Sequence, residues 1–181
     1  QPTGSSSNAF FTADGYIWKF LYTLSAANAN KFLSANFIPI QYITATDSSS
    51  PAAIVEQKGI QDAAVAGQIA NIRIVNGGTG YTLAPTVTII GDGDSATATA
   101  IINGGAVVDI RQDSNGSGVP KMGSGYSKAN ITFSTGNATA RAAMAPKGGF
   151  GSNAIKDLRA KAVMFNSKPS GNESGTFLTD N

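Results

Sequence analysis

Gly78-Thr79-Gly80-Tyr81-Thr82 recurs in this chain as Gly123-Ser124-Gly125-Tyr126-Ser127. The similarity extends to both sides. Val87-Thr88-Ile89 answers to Ile131-Thr132-Phe133, and Ala96-Thr97-Ala98-Thr99-Ala100 to Ala138-Thr139-Ala140-Arg141-Ala142. Upstream, Asn71-Ile72-Arg73 answers to Asp109-Ile110-Arg111. The offset is 38 residues at Ile72/Ile110 and 45 at Tyr81/Tyr126, so the second copy holds seven extra residues within 112–122. Gly67-Gln68-Ile69 lies 38 residues before Gly105-Ala106-Val107 and reads as part of a third copy. A short repeated unit cannot bury its apolar face alone, so successive units must share a core. Thr, Val and Ile suit a pleated surface, and Gly supplies positive φ at tight turns. Asn103-Gly104-Gly105 between two apolar pairs is a strong hairpin signal. These features predict short antiparallel strands in a sandwich-like module.

Composition narrows the chemistry. Charged residues make up 13% of the 181, about half the usual share of about 25%. Gly 21 and Pro 7 call for many turns. The chain has no Cys and no His. Disulfides, thiolate metal sites and every imidazole-based catalytic scheme are therefore excluded from it. A net charge of +2 is too small for a nucleic-acid footprint. No apolar run approaches the roughly 18 residues of a membrane span. Neither nucleic acid nor membrane is expected as a partner. The start at Gln1 and the stop at Asn181 read as those of a piece of a longer polypeptide.

Outside the repeats the pattern is different. Residues 1–9 are rich in Gly, Ser and Asn. Gly15 then opens an alternation of Tyr16, Trp18, Phe20 and Tyr22, which predicts a strand with four rings on one buried face. Ser25 is suited to cap a helix over 26–33. Residues 37–43 read as a second strand, at an edge because Pro39 has no N–H. Pro51 suits a helix start, with helical turns over 52–58. Ser152 is expected to cap a helix over 153–160, with Ile155 and Leu158 facing inward, followed by a strand over 162–165 and a polar loop over 166–176. The fold class is thus mainly β with a small α+β part. Residues 1–50 and 147–181 form a discontinuous α+β body, and 51–146 an inserted β-repeat module.

Several segments have the spacing of a functional site. Gly149-Phe150-Gly151-Ser152-Asn153-Ala154 fits the Gly-x-Gly-x-x-Ala phosphate-loop pattern. That pattern needs a preceding parallel strand, and an antiparallel repeat precedes it here. Asp92/Asp94 and Asp113/Asn115 place oxygens two residues apart, as calcium loops do, although Asp and Asn also belong in turns. The remaining acids are scattered, with no marked carboxylate pair. The four rings of 16–22 could stack on a sugar or base; core packing is the simpler expectation. No cofactor, metal or catalytic residue is expected. The residues singled out are structural: Gly15, Tyr16 and Trp18 in the aromatic segment, and Gly80, Tyr81, Gly125 and Tyr126 in the repeat turns. Gly80 and Gly125 are expected at positive φ, with both tyrosines buried.

Asp14-Gly15-Tyr16-Ile17-Trp18-Lys19-Phe20-Leu21-Tyr22, followed by Phe37-Ile38-Pro39-Ile40, resembles the baseplate wedge subunit family of contractile-tailed phages, in the form associated with cyanophages. The segment from Gly148-Gly149-Phe150-Gly151-Ser152 to Phe165 also resembles that family, which is expected to carry a His where Phe150 stands. The repeats are similar to Gly-Thr-Gly-Tyr modules of phage tail proteins. The resemblance implies a non-enzymatic structural part of the virion tail baseplate, assembled in the host cytoplasm. It implies contacts with other wedge proteins and a homodimer in the full-length protein. A carbohydrate-binding adhesin or tail-fibre module is the alternative.

Overall fold

The computed structural model describes residues 3–167. Strand exceeds helix, 30% against 13%, and the sheets are antiparallel, so the chain is mainly β with a small α+β part. In chain order, β1 (Phe10–Phe11) and β2 (Ile17–Trp18) precede helices α1 (Ala26–Phe32) and α2 (Ala52–Asp62). Then come β3 (Ile69–Asn76), β4 (Val87–Gly91), β5 (Asp94–Ala96), β6 (Ala98–Asn103) and β7 (Ala106–Gln112). Last are β8 (Met122–Ser124), β9 (Ala129–Phe133), β10 (Thr139–Met144) and α3 (Ala154–Asp157).

The two repeat copies do not form separate sheets; they exchange strands. Strands β3, β4 and β6 of the first copy answer to β7, β9 and β10 of the second. Each pairs with a strand of the other copy: β3 with β10, β4 with β9, β6 with β7. The registers match as well. Ile72 faces Ala142 where Ile110 faces Ala100, and Ile74 faces Ala140 where Gln112 faces Ala98. Thr88 faces its own counterpart, Thr132, at the middle of the β4–β9 pair. The copies are thus related by an approximate two-fold axis near Thr88 and Thr132. Gly67-Gln68-Ile69, expected to begin a third copy, is instead the start of the first. Gly67 O accepts from Tyr126 N (3.1 Å) as Gly105 O accepts from Tyr81 N (2.9 Å). Two copies suffice because each supplies the other's missing strands.

The four-stranded sheet β3-β10-β9-β4 packs against the β6–β7 hairpin through β3 on β7 and β4 on β6. Gly104-Gly105 closes that hairpin at φ +58° and +77°, which a two-residue turn of matching twist requires. Ile69, Ile72, Val107, Ile110 and Ile131 fill the shared core with Ala98, Ala100 and Ala140. Large side chains on β3 and β7 face alanines on β10 and β6, which lets the layers approach. Each buried Ile contributes about 1.5–3 kcal/mol. The seven-residue insertion forms a loop off β7. It is held by Asp113 N to Thr97 O (3.0 Å) and Lys121 N to Asp113 O (2.7 Å).

The body departs from the expected strands. Of the aromatic alternation only Trp18 pairs, with Phe10 of β1, and Tyr16 and Trp18 are 66% and 42% exposed. The expected four-ring buried face is absent because β1 offers two residues and, among the described residues, no further strand lies alongside. Residues 37–43 form no strand. Their partners are side-chain amides of α2 instead. Gln61 accepts from Ile43 N (3.0 Å) and donates to Ile43 O (2.8 Å), and Gln57 Nε2 donates to Gln41 O (2.6 Å). Gln57 and Gln61 are buried for that purpose. Helix α2 runs past the expected 52–58, and these bonds seat it on the first segment, so 51–62 sits with the body.

Helix α1 is capped as expected, Ser25 Oγ accepting from Asn28 N (3.2 Å). Helix α3 is shorter than expected and starts one residue later. Its cap is Asn153, whose Oδ1 accepts from Lys156 N (3.1 Å), and Arg159 at φ +53° follows its end. Residues 162–165 form no strand, and Val163 and Phe165 are 93% and 88% exposed. Residues 168–176 of the expected polar loop lie outside the described residues.

Candidate functional site

The repeat turns are built around their tyrosines. Gly80 and Gly125 have φ of +79° and +74°, and Gly78 and Gly123 both have +67°. Tyr81 and Tyr126 are buried. Tyr81 Oη donates to Thr135 O (3.2 Å) and accepts from Ala138 N (2.9 Å), tying the first copy to the second. A Cβ at Gly80 would meet nothing within 4 Å, so there glycine answers to backbone conformation alone. At Gly78 a Cβ would come 2.9 Å from Tyr81 Cε2, and at Gly123 2.7 Å from Tyr126 Cε2. Glycines of the opposite copy complete each cradle. Gly136 would overlap the Tyr81 ring, 2.6 Å from Cε1, and Gly91 and Gly93 would overlap the Tyr126 ring at 2.8 and 2.5 Å. Gly136 stands 45 residues after Gly91, the same offset as Tyr126 after Tyr81, and that match is the signal in the sequence that could have revealed these partners.

Asp92 lies between the two glycines that hold Tyr126. Its carboxylate accepts from Ser127 N (2.9 Å), Ser127 Oγ and Lys128 N (3.1 Å). The Ser127 hydroxyl, followed by the two amides, holds this carboxyl far below the ordinary carboxylate range. Asp94, the second oxygen of that candidate cation loop, is in β5 opposite Ser124. Asp113 accepts from Thr99 Oγ1 (2.7 Å), and Asn115 Oδ1 accepts from Ser117 N and Val119 N, both 2.9 Å. Both loops are therefore turns fastened by their own acceptors. Among the described residues no group of three acids gathers for a metal.

Gly15 and Tyr16 lie at the tip of the β1–β2 hairpin, and Trp18 lies in β2 opposite Phe10. Gly15, at φ +85°, takes the turn, and Thr12 N donates to Tyr16 O (3.0 Å). Asp14 accepts from Thr12 Oγ1 and from Tyr16 N (3.3 Å), the hydroxyl first in holding its carboxyl below the usual value. Trp18 Nε1 donates to Thr12 Oγ1 (3.1 Å). The tip borders Arg111 and Gln112 across a shallow pocket of about 240 Å³. Gln112 Oε1 is buried there without a hydrogen-bond partner among the described residues.

The Gly149–Ala154 loop lacks the phosphate-loop geometry. Antiparallel β10 precedes it, α3 has four residues, and Asp157 accepts from Gly151 N (2.7 Å), placing a carboxylate where an anion would bind. Gly149 lies against the Val65 backbone, and Gly151 against Ile60 and Lys19. The loop therefore clamps the later segment onto α2 and the first segment. Burial there lowers the Lys19 pKa. A larger cleft, about 570 Å³, lies between Tyr22, Phe32, residues 38–41, Ile155 and residues 160–164. Burial of Tyr22 raises its pKa, and its hydroxyl donates to Pro39 O (3.0 Å).

Among the described residues, other acids are engaged within the fold. Glu56 accepts from Thr23, Asp62 pairs with Lys58, and Asp109 pairs with Arg111. No described helix is long and apolar enough to cross a membrane. Comparison with protein-family models, with curated proteins and with solved structures finds no match to this chain.

Proposed function

We propose that the chain is a structural, non-enzymatic component of a phage tail baseplate wedge that acts through protein–protein contacts. Its partners on this reading are other wedge proteins, with a homodimer in the full-length protein and no nucleic acid or membrane. One observation carries the proposal: four polar groups with site-like spacing are held within the fold, while apolar side chains of the body stay exposed. Asp92, Asp113, Asn115 and Asp157 are bound to their own chain, and Phe37, Ile38, Val163 and Phe165 face outward. Ile38 and Val163 line the same cleft, and contiguous exposed apolar surface marks contact with a partner. The resemblance of residues 14–22 supports the baseplate in particular.

The test is immuno-electron microscopy of purified virions with antibody raised against the repeat module. Label at the baseplate is the expected result; virions without label would refute the proposal. The carbohydrate-binding adhesin or tail-fibre module is the second reading, favoured by the exposure of the Tyr16 and Trp18 rings. Glycan-array binding that is abolished by Trp18→Ala would replace the first reading with the second.

A further inference from the structure

We propose that the outward face of the four-stranded sheet docks an acidic protein surface, gripped by Arg73 and Arg141. This adds partner chemistry to the scaffold reading and rests on it for the partner being a protein. Alternation sends Asn71 and Arg73 of β3, Arg141 of β10, Asn130 of β9, and Thr88 and Ile90 of β4 to the same exposed face. In register, Arg73, Arg141, Asn130 and Ile90 make one row across all four strands. Arg73 and Arg141 are direct cross-strand neighbours, whose Cα atoms in such a pair stand about 5 Å apart. Like charges in that position destabilise a sheet.

Nothing on the sheet offsets the repulsion. The four strands contain no Asp or Glu, and the two arginines are their only charges. Among the described residues, the ion pairs are Lys58–Asp62 and Arg111–Asp109. The equivalent position in the other half is different. There Arg111 faces Thr99 rather than a second arginine, and Asp109 neutralises it. One half of the duplicated module has relieved the conflict and the other has kept it. An external carboxylate surface removes it, because two adjacent guanidinium forks take carboxylates in paired hydrogen bonds. Short Asn and Thr neighbours leave the surface flat enough for a strand or helix to lie on. Two cations fall short of the 6–10 phosphate contacts typical of nucleic-acid binding, and the row holds no ring for stacking on a base or sugar.

The test titrates the chain with poly-L-glutamate, heparin and oligo-dT at matched ionic strength. It compares wild type, the double variant R73Q/R141T, and K31Q/K121Q. Both variants lower the net charge from +2 to zero, and all four positions are exposed. Wild type and K31Q/K121Q are expected to bind poly-L-glutamate alike, with R73Q/R141T about tenfold weaker, as two exposed ion pairs supply. R73Q/R141T is also expected to melt no lower than wild type. Equal weakening of both variants, preference for heparin or oligo-dT, or no binding of poly-L-glutamate would overturn the proposal. A chain labelled at the baseplate but without arginine-dependent binding loses this proposal alone. A chain missing from virions loses the scaffold reading.

Discussion

Gly136 is where the interlocked repeats are open to a sharp mutational test. It has φ +80°, and all three nearest neighbours of a Cβ built there are atoms of Tyr81. Gly136→Ala therefore carries two penalties. Positive φ costs an alanine about 1 kcal/mol. The methyl also displaces a buried ring, and losing an aromatic side chain from a core costs about 3–5 kcal/mol. The expected total is about 4 kcal/mol or more. Gly80→Ala isolates the first penalty, because its φ of +79° is nearly the same and a Cβ there meets nothing within 4 Å. In a Tyr81→Ala background the ring is already gone, so Gly136→Ala should add only about 1 kcal/mol. The coupling between the two sites is then about 3 kcal/mol, measurable by urea unfolding of the four-member cycle. Equal costs for Gly136→Ala and Gly80→Ala, or full additivity of Gly136→Ala with Tyr81→Ala, would refute the cradle.

Gln61→Glu keeps the acceptor for Ile43 N but, when ionised, turns oxygen toward Ile43 O. Only the protonated acid donates there, so its folded pKa is raised; its stability should match wild type most closely below about pH 4.3 and fall as pH rises through the folded pKa, read by chemical denaturation at several pH values. Asp92 has a depressed folded pKa, so its contribution is present above its unperturbed 3.8 and is lost as pH falls toward the folded value. Asp92→Asn should be less stable at pH 7 and show a shallower acid limb in melting temperature; an unchanged limb would contradict the role of its three hydrogen bonds. Ile72 and Ile110 are both 4% exposed and both face an alanine. Alanine substitution at either should cost about 2–5 kcal/mol, with the two values within about 1 kcal/mol of each other; a wide gap in urea midpoints would argue against the two-fold relation.

What the sequence by itself determined is local. The alternating Thr, Val and Ile runs of 69–144, the Gly104-Gly105 turn and the Ser25 cap follow from backbone conformation and from neighbours a few residues away. Those elements appear where the sequence places them. Tertiary structure decided everything that needed a partner. The rings of 16–22 alternate as a buried strand does, but alternation cannot supply the strand that would cover them, and Tyr16 and Trp18 remain exposed. Residues 37–43 were extended enough to resemble a strand, yet glutamines of α2 took the pairing role, which no β-pattern encodes. The repeat was legible, but not that its copies would exchange strands. Pairing β3 with β10 or with a nearer strand leaves the same sequence pattern, and only burial of Ile72, Ile110 and the two tyrosines in one core separates them. The candidate cation and phosphate loops followed the same rule. Spacing alone put oxygens and glycines in place, and the fold then turned Asp92, Asp113 and Asp157 onto Ser127, Lys128, Thr99 and Gly151, because the amides and hydroxyl that the folded turns leave without other partners are the donors nearest to them.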